Sequence, residues 1–117
     1  MQKIVGLNQN WQFKRLYNRG KSSVQPALVM YALPNREGSR LGITVSKKVG
    51  KAVQRNRAKR RLRELYRAAL PELKEGYDMV LVARARTVTA PYWQLVKSFR
   101  AAAKQLELIK PVGDDKR

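Results

Sequence analysis

Residues 47–67 read KKVGKAVQRNRAKRRLRELYR, ten lysines and arginines against a single acid, Glu64. Groups of this kind neutralise phosphate, the guanidinium through paired donors in a fixed fork and the ammonium as a point charge. With successive residues placed about 100° apart on a helix, Ala58, Leu62, Leu65 and Ala69 collect on one stripe, which Gln54 extends with a polar group and from which Val53 departs. Asn56, Arg60, Arg63 and Arg67 fall on the opposite side, Arg57 and Lys59 at the edges of that arc, and Arg55 and Arg61 nearer the stripe. Like charges at i,i+4 spacing repel each other, so such a helix is frustrated until a polyanion meets it. Lys47, Lys48 and Lys51 flank Gly50, where a tight bend would let backbone approach phosphate.

The rest of the composition narrows the chemistry. There is no histidine and no cysteine, and the eight acids (Glu37, Glu64, Glu72, Glu75, Asp78, Glu107, Asp114 and Asp115) are scattered over expected turns, helix surfaces and the tail. Hydrolysis of a phosphodiester by side chains alone needs an acid and base pair or clustered carboxylates for metal ions. Neither is present, nor is a phosphate-binding glycine loop, so the chain is expected to have no catalytic residues, no metal site and no cofactor of its own. A formal net charge of +18 over 117 residues makes nucleic acid the leading partner. No apolar run approaches the roughly 18 residues of a membrane span, and MQKIVGLNQN lacks the long apolar stretch of a secretory signal. The expected location is the cytoplasm, with no membrane partner and no small-molecule substrate.

Six elements must position these residues. Asn10 is a candidate cap for a helix over 10–19, with Gly20 where a left-handed turn would end it. PALVMYAL, 26–33, alternates two apolar sets and reads as a strand covered on both faces, and 40–46 reads as a half-buried strand. Pro34, Asn35 and Gly38 between them suggest a hairpin. The basic helix runs over 52–70 and stops at Pro71; a third strand covers 79–83; Pro91 opens a helix to 106. The order helix, strand, strand, helix, strand, helix predicts an α+β chain, a small α/β sandwich. It reads as one RNA-binding domain over 1–110 followed by a disordered tail, 111–117.

Aromatic platforms beside basic walls bind single-stranded RNA without strict sequence choice. Phe13 and Tyr17 lie four apart on the first helix, Tyr31 sits on the first strand with a hydroxyl suited to a wet edge, and Lys14, Arg15, Arg19 and Lys21 add charge nearby. Arg84 and Arg86 follow the third strand and would line the end of such a cleft. Trp11 and Trp93 are read as packing residues.

The run GITVSKKVGKAVQRNRAKRRLRELYR resembles the signature of the bacterial ribonuclease P protein subunit, an Arg-Asn-Arg triplet followed by Lys-Arg and a further Arg. Here these are Arg55, Asn56, Arg57, Lys59, Arg60 and Arg63. FKRLYNRGK is similar to that family's first helix and YDMVLVARA to its third strand, so the resemblance covers about residues 7–106. It implies a left-handed β–α–β crossover, where the general rule would give a right-handed one. It implies as well a noncatalytic subunit that assists an RNA enzyme in removing the 5′ leader of precursor tRNA, with magnesium held by the RNA. Lys47, Lys48, Lys51, Arg55, Asn56, Arg57, Lys59, Arg60, Arg63 and Arg67 would face the ribonuclease P RNA; Phe13, Lys14, Tyr17, Tyr31 and Arg86 would line the leader cleft. The alternative is a ribosomal or other structural RNA-binding protein.

Overall fold

The computed structural model describes residues 4–111, so the tail expected to be disordered lies, from residue 112 on, outside the described residues. The first helix, α1, spans Asn10–Arg19. Its N-terminus is closed by Gln12 rather than by Asn10: the buried Gln12 amide turns back, and Oε1 accepts the backbone N–H groups of Asn8 and Gln9 at 3.0 and 2.9 Å. That satisfies donors which no carbonyl of the helix reaches. Gly20 ends α1 with an ordinary φ of −72°, not in a left-handed turn. A glycine is needed there for proximity, since a Cβ would lie 2.6 Å from the Leu16 carbonyl oxygen and 3.0 Å from that of Ala32.

Four strands follow, β1 (Lys21–Val24), β2 (Leu28–Pro34), β3 (Arg40–Thr44) and β4 (Tyr77–Ala83), in the sheet order β1-β2-β4-β3. The expected hairpin between the segments 26–33 and 40–46 does not form. β4 inserts between them, antiparallel to β2 and parallel to β3. The reason is burial: Met79, Leu81 and Ala83 point into one apolar cluster while Val80 and Val82 meet the other, so β4 belongs at the centre, where both faces are covered. β3, with Arg40, Gly42 and Thr44 on one face, suits an edge. Its outer side is partly paired by the N-terminal segment, Leu7 N–H to Leu41 O at 2.9 Å and Leu41 N–H to Val5 O at 2.8 Å. β1 was not expected because KSSV has no apolar period; it pairs with β2 through the Gln25–Leu28 turn.

The basic helix, α2, spans Ala52–Ala69 and crosses from β3 to its parallel neighbour β4. A single turn, α3 (Ala85–Thr89), which the sequence pattern did not reveal, precedes the last helix, α4 (Tyr92–Gln105). Leu62 and Leu65 of α2 and Leu95 and Phe99 of α4 share one core with Leu28, Met30, Leu41 and Leu81 of the sheet. Leu16 of α1 meets Leu7 and Val80 in the other cluster, bordered by Phe13, Tyr31, Leu33 and Val82. Strand alternation puts these clusters on opposite faces, giving a layered sandwich with α1 alone on one side.

Candidate nucleic-acid interface

The buried side of α2 consists of Ala58, Leu62, Leu65 and Tyr66, close to the expected stripe, with Tyr66 taking part in place of the half-buried Ala69. Burial pushes the Tyr66 phenol above its ordinary pKa, with the Asp78 charge acting in the same direction. Asn56, Arg57, Lys59, Arg60, Arg63 and Arg67 are exposed, as are Lys47, Lys48 and Lys51 ahead of the helix. Val53 is 78% exposed, off the stripe as its position requires. Among the described residues none of the four ion pairs involves α2, so its positive charge has no acidic partner within the fold.

Three of the arginines do structural work. Lys47–Val49 forms a 3-10 turn and Gly50 follows at φ +149°, a backbone conformation that L side chains rarely adopt. Arg55 donates to the Gly50 carbonyl at 2.8 Å and fixes this bend against the start of α2. Arg61 donates to the carbonyls of Thr87 and Val88 at 2.9 and 3.0 Å, and Arg57 to Val88 at 3.2 Å. These contacts dock α3 on the basic helix. Burial, then the neighbouring charge of Arg57, lowers the pKa of Arg61 from its ordinary value. Arg55 and Arg61 lay nearer the stripe than the other arginines in the sequence pattern, the one sign that they were not free surface charges.

On the other side of the sheet, Tyr17 and Tyr31 meet edge to face, ring centroids 4.9 Å apart and planes at 78°. The Tyr17 hydroxyl hydrogen-bonds the Thr44 hydroxyl at 2.8 Å, and the residue stays 40% exposed. Phe13 packs directly against Gly42, where an added Cβ would come within 2.6 Å of its ring. Gly42 is thus a site residue the sequence analysis missed, although a glycine inside a strand pattern is the usual sign of close approach. Lys14 is exposed on the same helix. Phe13 also shares a cavity of about 260 Å³ with Leu41, Gly42, Ile43, Lys59 and Arg63. The aromatic cleft and the basic helix, read from sequence as separate surfaces, therefore join over the β3 edge. Arg86 is not brought to this cleft: it lines another concavity with Trp93 and Lys97. The tryptophans read as packing residues are instead exposed, Trp11 at 56% and Trp93 at 62%. The indole of Trp11 carries the Arg15 guanidinium 5.4 Å from its ring centroid, a cation–π contact that does not require burial.

α1 is held over the sheet by Asp78, fully buried at the head of β4. Its carboxylate accepts Arg15 Nη2 at 3.1 Å, Arg40 Nε at 2.8 Å, Arg40 Nη2 at 3.0 Å and Asn35 Nδ2 at 2.6 Å. The hydrogen bond to Asp78 raises the pKa of Arg40 against the opposing effect of burial. With four donors around it, this carboxylate has little capacity left for a metal ion. Glu37 and Glu72 are likewise paired, with Arg40 and Arg100. No helix among the described residues is long and apolar enough to cross a membrane.

The fold is shared with known proteins. A family model described as Ribonuclease P matches residues 1–107. The ribonuclease P protein component of Natranaerobius thermophilus is 39% identical over 111 residues, covering 94% of this chain and 96% of that protein. The component from Clostridioides difficile is 41% identical over 105 residues, covering 88% and 92%. Among solved structures, the RNase P protein of Staphylococcus aureus superposes with a TM-score of 0.80 at 30% identity, covering 92% of this chain and 100% of the other. That of Thermotoga maritima gives a TM-score of 0.75 at 27% identity, covering 94% and 100%.

Proposed function

The chain belongs to the ribonuclease P protein family, and from that premise we propose that it is a noncatalytic subunit which binds the catalytic RNA through α2 and the 5′ leader of precursor tRNA through the α1 cleft. Membership itself implies a role in tRNA 5′ processing alongside an RNA partner. One observation supports the finer reading above the others: Lys59 and Arg63 of the basic helix line the same cavity as Phe13. A single strand entering over Phe13 would pass directly from an aromatic platform to cations without acidic partners.

In this mechanism the protein contributes charge and position. Exposed Asn56, Arg57, Arg60 and Arg67, with Lys47, Lys48 and Lys51, offset repulsion between the phosphates of catalytic RNA and substrate. Tyr17, Tyr31 and Phe13 offer ring faces and edges to unstacked bases, each stack contributing on the order of 1 to 3 kcal/mol. Magnesium belongs to the RNA in this scheme, and the setting is the cytoplasm. If about five phosphates of a single strand are neutralised, log affinity falls against log salt with a slope of roughly −3.5.

The test is reconstitution. Purified protein is mixed with bacterial ribonuclease P RNA at low magnesium and with precursor tRNA labelled at its 5′ end. Release of intact leader should rise sharply on adding the protein and vanish without the RNA. Cleavage in the complete absence of RNA enzyme would make the protein itself the nuclease. No stimulation would favour a structural role such as that of a ribosomal protein.

A further inference from the structure

The concavity that holds Arg86 shares no residue with the α1 cleft or with α2. About 280 Å³ in volume, it lies between the β1–β2 turn and α4 and is floored by Pro26, Ala27 and Ala101. Its walls are tied in place. Thr87 Oγ1 donates to the Ala27 carbonyl at 2.5 Å, Ser98 Oγ accepts the Ala27 N–H at 3.3 Å, and Arg84 Nη1 donates to the Gln25 carbonyl at 2.8 Å. The pocket is therefore preformed.

Its rim has a different character. Trp93 presents an exposed indole, and Arg86 and Lys97 are exposed beside it. Among the described residues neither cation takes part in an ion pair. α4 itself, YWQLVKSFRAAAKQ, contains no acid, and of its three cations only Arg100 has an acidic partner among the described residues, Glu72. Gln25 and Gln94 add amide groups at the margin. A planar aromatic surface, an apolar floor, two cations and two amides match the three parts of one nucleotide: base face, phosphate and base edge. A membrane surface would call for a broad apolar helix face instead, and here the apolar area is a bounded hollow.

We propose that this pocket is a second RNA site, which takes one unpaired nucleotide with its base stacked on Trp93 and its phosphate held by Arg86 and Lys97. The proposal rests on the reading of the protein as an RNA-binding subunit. It assigns Arg86 to a nucleotide outside the leader cleft.

With Trp11→Phe, Trp93 becomes the sole tryptophan of the full-length chain. Its emission is followed as an unstructured hexaribonucleotide, labelled for a parallel anisotropy measurement, is added at low salt. The expected result is saturable quenching whose midpoint moves on the order of tenfold with Lys97→Glu and does not move with Phe13→Ala. In anisotropy, Trp93→Ala should remove a second, weaker binding phase. Unchanged emission at concentrations where anisotropy shows the RNA bound would overturn the site while leaving the leader cleft intact. Loss of quenching in Phe13→Ala, or equal quenching by an acidic hexapeptide, would overturn it too. If anisotropy shows no RNA bound at all, the reading of the whole protein fails, and this site with it.

Discussion

The arginines around Asp78 and those along α2 solve opposite problems. Arg15 and Arg40 converge on one buried carboxylate, and their positive charge is cancelled within the fold. On α2 the guanidiniums of Arg55, Arg57 and Arg61 donate to backbone carbonyls, and no carboxylate pairs with any guanidinium of this helix among the described residues. The first arrangement locks α1, the β2–β3 turn, β3 and β4 together. The second leaves charge available for a partner while the carbonyl contacts keep the helix and α3 in place. Within one small basic protein, arginine serves as mortar where an acid is buried and as a docking group where none is near.

This contrast breaks most visibly at Asp78. Asp78→Ala would leave the buried side of Arg15 and Arg40 without compensation, and unfolding in urea should show a loss of about 3–5 kcal/mol. A loss below about 1 kcal/mol would erase the distinction between the two regions. The next test lies within α2. Arg61→Ala removes two charge-assisted hydrogen bonds to α3 and should cost about 1–2 kcal/mol, reduced by partial exposure. Arg60→Ala, one residue away on the exposed side, should alter stability by no more than about 0.5 kcal/mol. It should nevertheless weaken assembly with the RNA and make the salt slope shallower. Equal stability losses for the two would mean that the helix has no division between structural and docking arginines.

The smallest effect concerns the junction of the two surfaces. Phe13 shares a cavity with Arg63 and not with Arg67. Double-mutant cycles on leader binding should give a coupling of about 0.5 kcal/mol or more for Phe13→Ala with Arg63→Ala, and near additivity for Phe13→Ala with Arg67→Ala. Additivity in both cycles would restore two independent faces.

Much of this was legible in the chain because it depends on local pattern. The helical period of the residues from Ala52 onward separates Ala58, Leu62 and Leu65 from the arginines without reference to the rest of the fold, and β2 and β4 announce themselves by apolar runs. β1 and α3 were silent. KSSV and ARTVT carry no apolar period, and each is held by neighbours, β1 by the β2 edge and α3 by Arg57 and Arg61. The tryptophans misled because residue type alone suggests burial, whereas Trp11 interacts with a cation and Trp93 stands at the rim of a pocket.

The sequence by itself determined the excess of positive charge, the lack of histidine and cysteine, and the helix on which most of that charge is ordered. These follow from composition and from the fixed period of the α-helix. Only the tertiary structure decided that β4 separates β2 from β3, that Gly42 makes room for Phe13, that Arg86 and Trp93 share a pocket with Gln25 and Pro26, and that Lys59 and Arg63 reach the aromatic cleft. Each of these joins residues far apart in the chain. Such contacts are selected by the packing of the whole core, in which a central strand must be covered on both faces, and no local period encodes them.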